Sequence, residues 1–242
     1  MRKYPSNAGP FREALFYEQE EIETICTDVL SSVDLYPSVP EPIRIERFLE
    51  KKFRITPEYG ELPDGILGYT KFGTIGAEKV VISRSLSEED SKTSERRIAT
   101  TIAHEVGHIL FHSDLFKDLF RKSSMRSLFQ NSGESPSEKQ AILCRDLPGV
   151  LEKSSDYDGR WWEHQANRAI GALLMPRSLM EELLTPFLVS KKVLLGLCEQ
   201  ITLDPAKRDD AVLRLSEVFD VNPIVARIRL EERYPSKKFS RK

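Results

Sequence analysis

The sequence predicts an α+β fold, mostly helical with a small, mainly antiparallel sheet, followed by a C-terminal helical subdomain with helix-turn-helix spacing. Three observations carry this. Apolar residues recur every three to four positions over long stretches at both ends of the chain, the mark of amphipathic helices. Between residues 54 and 86 the period shortens, and two β-rich runs, GILGYTKF (65–72) and EKVVIS (78–83), stand close together, punctuated by Gly73 and Gly76. After residue 205 the pattern reads as helix, tight turn, helix.

Residues 1–10, with Pro5, Gly9 and Pro10, read as a loose lead-in. Over 11–33, Leu15, Ile22, Ile25, Val29 and Val33 recur at helical spacing among glutamates and predict an amphipathic helix. Pro37, Pro40 and Pro42 end it, because proline cannot continue a helix and restricts the residue before it. A second helix is expected over 43–53, with Ile45, Phe48 and Leu49 on one side. The two β-rich runs follow as an antiparallel pair. The polar run 83–94 leads into a helix capped by Thr93 or Ser94, with Glu95 in its first turn. That helix is expected to reach about His112 and to bury Ile98, Ile102, Val106 and Ile109.

Residues 115–129 suit another helix, 139–145 (KQAILCR) a further strand, and 131–137 and 148–160 loops. The next long helix is 161–174 (WWEHQANRAIGALL), limited by Pro176 and followed by a helix at 177–184. Residues 188–203 also read as helical. The last pair is 205–219 and 223–232, with Pro223 suited to the first helical position. The expected organisation is a lead-in (1–10), a main domain (11–187), a helical subdomain (188–235) and a basic tail (236–242).

Composition excludes several classes. A chain of 242 residues, 40% hydrophobic and 31% charged, can bury one substantial core. Its formal net charge of -2 predicts no bulk attraction to nucleic acid or membrane. No apolar run approaches the ~20 residues that span a bilayer, and the N-terminus lacks the apolar stretch of a secretory signal. The 3 cysteines are widely spaced, with no Cys-x-x-Cys pair, so neither a disulfide framework nor a cysteine zinc knuckle is suggested. A reducing, cytoplasmic location is expected.

The chemistry is concentrated in TIAHEVGHILFH (101–112). On a helix, positions four apart lie nearly above one another. His104 and His108 can therefore offer two neutral nitrogens to one ion, while Glu105 stands ready to take a proton from a water there. Hydrolytic zinc sites use a third protein ligand and leave the fourth place open. His112 competes for that role, but it lies about 12 Å along the axis from His104, and its place reads as the end of the helix. Glu163 is the better candidate. It shares a stripe with Asn167, Ile170 and Leu174, and a carboxylate facing the interior must be paired or bind a metal. Asn167, one turn on, can hold the outer nitrogen of a ligand histidine.

Four segments in order, LPDGILGY (62–69), KVVISRSL (79–86), IAHEVGHILFH (102–112) and WWEHQANRAIGALLMP (161–176), together resemble the ImmA/IrrE family of bacterial metallopeptidases. The resemblance extends over residues 20–235. It implies a compact zincin-like peptidase domain, with ligands mapping onto His104, His108 and Glu163 and the general base onto Glu105. It further implies cleavage of a helix-turn-helix transcriptional repressor, relieving repression in a mobile element, a prophage or a stress response. The metal implied is Zn2+, though the same ligands accept other divalent ions such as Mn2+. The connection between His112 and Trp161 is longer than in the smallest members, and no N-terminal helix-turn-helix domain precedes the main one.

A peptide is expected to bind extended, adding to the sheet edge at 65–72. The oxyanion needs a second donor, and Tyr69, Tyr157 and His164 have suitable chemistry. Cys144 is expected to be an inert buried thiol. A second reading is a DNA-binding or scaffold regulator with a structural or vestigial metal site. It draws on the C-terminal helix pair and on Arg227, Arg229, Arg233, Lys237, Lys238, Arg241 and Lys242, which suit phosphate contacts.

Overall fold

The β-rich middle and the helices on either side of it fold around the helix that carries the histidine motif. The computed structural model describes residues 1–6, 11, 13–129, 141–145, 161–193 and 198–236, of which 119–129, 141–145, 191–193 and 198–200 are described by backbone alone. Arg2–Pro5 (β1) and Glu13–Phe16 (β2) form an antiparallel ribbon, with Leu15 turned inward. Helix α1, Gln19–Ser31, starts later than the expected residue 11. A capping box sets its start: the Glu21 carboxylate accepts from the Glu18 backbone N–H at 2.9 Å. Leu15 is therefore a strand residue, and the lead-in contains a strand. Helix α2, Ile45–Phe53, buries Ile45, Phe48 and Leu49 as expected.

Glu58–Gly60 (β3), Ile66–Phe72 (β4) and Ala77–Ser83 (β5) are followed by the short helix Arg84–Glu88 (α3), the long helix Lys92–Phe129 (α4) and Ala141–Arg145 (β6). The sheet order is β3-β5-β4-β6. β4 runs antiparallel to β5, as the β-rich runs predict, and also to β6, while β3 adds a parallel edge; sequence reading foresaw neither of the last two pairings. One expectation is overturned here. β4 is paired on both sides, so it offers no open edge to an extended peptide. The expected loops at 131–137 and 148–160 lie outside the described residues.

Trp161–Leu174 (α5) and Arg177–Leu184 (α6) match expectation. Residues 188–203 do not. They form an antiparallel hairpin of Leu188–Val193 (β7) and Cys198–Leu203 (β8). The leucine spacing suggests a helix, but the run is rich in β-branched residues. At the end of β8, Ile201 is 66% exposed while Leu203 is buried in the core. Arg208–Val218 (α7) and Pro223–Arg233 (α8) close the chain.

The C-terminal helices share the main core. A single buried cluster includes Ile22 and Phe48, Ile102 and Val106, Leu173 and Met180, and Leu215 and Leu230. Arg229 on α8 is buried and reaches α1, donating to Glu23 Oε2 at 2.8 Å and to the Met175 carbonyl at 3.1 Å. No helix among the described residues is long and apolar enough to cross a membrane.

Two glycines let α4 be clamped closely. A Cβ on Gly107 would stand 3.0 Å from Ala166 Cα and 3.0 Å from Ala169 Cβ, both on α5. A Cβ on Gly68 of β4 would stand 2.7 Å from Thr101 Cγ2 on α4. Glycine thus brings the backbones of α5 and β4 close to α4 at the level of the motif. Gly107→Ala is expected to destabilise the fold by about 1–3 kcal/mol through overpacking, despite the better helix propensity of alanine. Urea unfolding checks this. A neutral or stabilising result would show that α4 and α5 can separate without cost.

Candidate metal centre

His104 and His108 lie one turn apart on the buried face of α4, 4% and 0% exposed. Glu163, in the first turn of α5, meets them from the other side. Their ligand atoms come within 4.8 Å of one another, forming the one such group of three among the described residues. His104 Nε2 is 2.9 Å from His108 Nε2 and 3.1 Å from Glu163 Oε2, and His108 Nε2 is 3.5 Å from the same oxygen. A tetrahedral ion with bonds of about 2.0–2.1 Å sets its ligand atoms roughly 3.3 Å apart, and these separations bracket that value.

The hydrogen bonding behind the ligands suits a cation. Asn167 Oδ1 lies 3.0 Å from His104 Nδ1. An amide oxygen can only accept, so His104 carries its hydrogen on Nδ1 and turns a bare Nε2 toward the cluster. Two lone pairs and a carboxylate that face one another repel unless a positive charge lies between them. Burial, with the charge of His104, lowers His108 to about 4 against the pull of Glu163, so His108 is neutral and available as a ligand at neutral pH.

Glu105 is fully buried beside this cluster. Its Oε2 accepts from Thr70 Oγ1 at 2.6 Å, and its Oε1 has no hydrogen-bond partner among the described residues. Burial pushes its carboxyl up to about 7, with Glu163 adding to the rise and His104 and Thr70 opposing it. A carboxylate with one anchored and one unpartnered oxygen fits the place of a proton acceptor for a water at the cluster.

The other expected residues divide. Asn167 meets His104 as described. His112 is corrected: α4 runs on to Phe129, so His112 is an interior residue of the helix. It is 0% exposed, 3.1 Å from His108 Nδ1 and 3.0 Å from Gln165 Oε1. Tyr69 is also corrected as an oxyanion donor. It stands on the face of β4 opposite Thr70, since alternate strand residues point to opposite sides, and so is turned away from Glu105. His164 is exposed and lines a cleft between α5 and α8 with Asn167, Ile170, Val225 and Glu232. Tyr157 lies outside the described residues, and Cys144 is described by backbone alone.

Sequence reasoning missed Thr70 and Gln165. Each is a polar residue on an otherwise apolar buried face: Thr70 between Gly68 and Phe72 on β4, Gln165 among Trp162, Ala166 and Ala169 on α5. That interruption is the signal that could have found them. On α8 and α7, Arg227 pairs with Asp209, while Arg229 pairs with Glu23 and Arg233 with Glu181. Three of the arginines that suggested phosphate contacts thus face carboxylates of the protein itself. Lys237, Lys238, Arg241 and Lys242 lie outside the described residues. Comparison with known proteins finds no matching family model and no matching curated protein.

The environment of Glu105 has a consequence for stability. Its carboxyl is raised from 4.5 to about 7 in the fold, so the folded state holds that proton more tightly than the unfolded chain does. Its contribution is fully favourable below the unfolded value and is lost as pH rises toward the folded one. In metal-free protein, Glu105→Gln is expected to raise the Tm at about pH 8 by several degrees, from roughly 2–3 kcal/mol of relieved desolvation. The gain should vanish below about pH 4.5. Thermal melts with a chelator across this range check it, and a gain independent of pH would contradict the assigned burial of the charge.

Proposed function

We propose that the chain is a zinc-dependent endopeptidase with a zincin-like domain, in which His104, His108 and Glu163 hold the ion and Glu105 is the general base. The observation that carries this reading is the buried Glu105 carboxylate beside a ligand, anchored through one oxygen by Thr70 and unpartnered at the other. A purely structural ion has no use for such a group.

When bound, the ion would polarise the scissile carbonyl and make an attacking water more acidic. The protein's own part is to place the proton acceptor and keep it poised. Thr70 fixes Glu105 from the sheet side, and burial raises its proton affinity above that of an ordinary carboxylate. Glu105 then takes the proton of the attacking water and delivers it to the leaving amine. Asn167 orients His104 by accepting its Nδ1–H. Thr70 and Glu105 are both fully buried, so in that low-dielectric setting their hydrogen bond needs little rearrangement during the reaction.

For the substrate, the resemblance to the ImmA/IrrE peptidases supports a small helix-turn-helix repressor. Glu105→Gln is expected to retain Zn2+ within a few-fold and to slow repressor cleavage by at least about a hundredfold. Incubation of purified protein with a candidate helix-turn-helix repressor, read by electrophoresis and mass spectrometry, tests this. Cleavage by Glu105→Gln at the wild-type rate would rule out the assigned base.

A further inference from the structure

We infer that His112 is a positioning residue of the candidate metal centre, presenting a bare nitrogen to His108 so that His108 turns its own bare Nε2 to the ion. The inference rests on the metal-binding reading above. His112 is the one motif histidine that reading leaves without a role.

The direction of every hydrogen bond behind His108 follows from a single main-chain atom. Gln165 Nε2 donates to the Leu15 carbonyl on β2. A carbonyl can only accept, so the amide is oriented with Nε2 toward β2 and Oε1 toward α4. Gln165 Oε1 is 3.0 Å from His112 Nε2. That oxygen also can only accept, so His112 carries its hydrogen on Nε2. A neutral imidazole has one N–H, which leaves His112 Nδ1 bare. It lies 3.1 Å from His108 Nδ1, and two nitrogens in contact must share one hydrogen. His108 therefore supplies it, and its Nε2 is bare. That is the atom 2.9 Å from His104 Nε2 and 3.5 Å from Glu163 Oε2.

Each link allows one direction, and the last is set by backbone whose chemistry no substitution alters. Ligand histidines commonly lean on a carboxylate, a carbonyl or a water, and loss of that partner weakens metal binding. Here an imidazole takes that part and passes its own orientation to an amide and a strand. The ribbon of β1 and β2 is thereby tied to the ligand set. Both nitrogens of His112 are engaged, so it does not compete for the ion.

The test is Zn2+ affinity, measured by competition with a chelator, for wild type, His112→Leu, His112→Asn and Gln165→Met. His112→Leu is expected to bind about 10–100-fold more weakly. His112→Asn, whose amide oxygen stands where Nδ1 stood and can still accept, should recover most of that loss. Gln165→Met should fall between the two. If His112 merely filled space, leucine would serve as well as histidine and asparagine would be the poorer replacement. Wild-type affinity in His112→Leu overturns the inference.

A second measurement needs no variant to fold. Ring 15N NMR of zinc-loaded wild type should show the N–H of His112 on Nε2 and that of His108 on Nδ1, and the opposite tautomer at His112 overturns the inference. Wild type that binds no Zn2+ overturns the metal reading and this one together. Wild type that binds, with His112→Leu unchanged, overturns only the positioning role.

Discussion

Two imidazole nitrogens and a carboxylate oxygen are pressed together within 3.5 Å in the interior of this protein. Bare lone pairs and a negative charge repel at that range, and burial removes the water that would screen them. The arrangement is favourable only if a positive charge is shared among the three. Much of the local structure serves that requirement. Gly107 lets α5 approach α4 closely enough for Glu163 to meet the histidines, and Gly68 lets β4 approach closely enough for Thr70 to reach Glu105.

The order of cause runs from backbone contact to chemistry. Close approach of two helices sets the distance from ligand to ligand. Hydrogen bonds from Asn167 and His112 then set which nitrogen of each ring is bare. A neighbouring carboxylate, desolvated and tied by one oxygen, supplies proton affinity near neutrality. The proposed hydrolysis at an ion rests on these features together. The alternative of a DNA-binding regulator gains less, because Arg227, Arg229 and Arg233 are each engaged by carboxylates within the protein.

The helices were legible because each buries a stripe. Ile45, Phe48 and Leu49, and later Ile102, Val106 and Ile109, repeat at helical spacing and are buried in the structure. The candidate ligands were legible because two histidines flanking a glutamate four-apart pattern, and a carboxylate on the apolar stripe of α5, have no packing explanation. The hairpin at 188–203 was not, because leucines at helical spacing hide the pairing of Leu188–Val193 with Cys198–Leu203, which only tertiary context sets. The start of α1 was also hidden, since a glutamate capping box is a weak signal among many glutamates. The place of His112 depended on a residue far away in sequence: its partner Gln165 comes from another helix, and α4 continues past the point where its apolar pattern weakens. Long-range pairing of this kind, like that of β6 with β4, leaves no mark in local spacing.

The most direct measurement of the central claim is zinc K-edge X-ray absorption on the purified, zinc-loaded protein. The expected result is a four-coordinate ion with nitrogen and oxygen neighbours at about 2.0–2.1 Å, two of them imidazoles, and no sulfur. Loss of stoichiometric zinc in Glu163→Ala should accompany it. A chain that takes up no zinc, or an ion held by sulfur at about 2.3 Å, would contradict the claim that His104, His108 and Glu163 form its site.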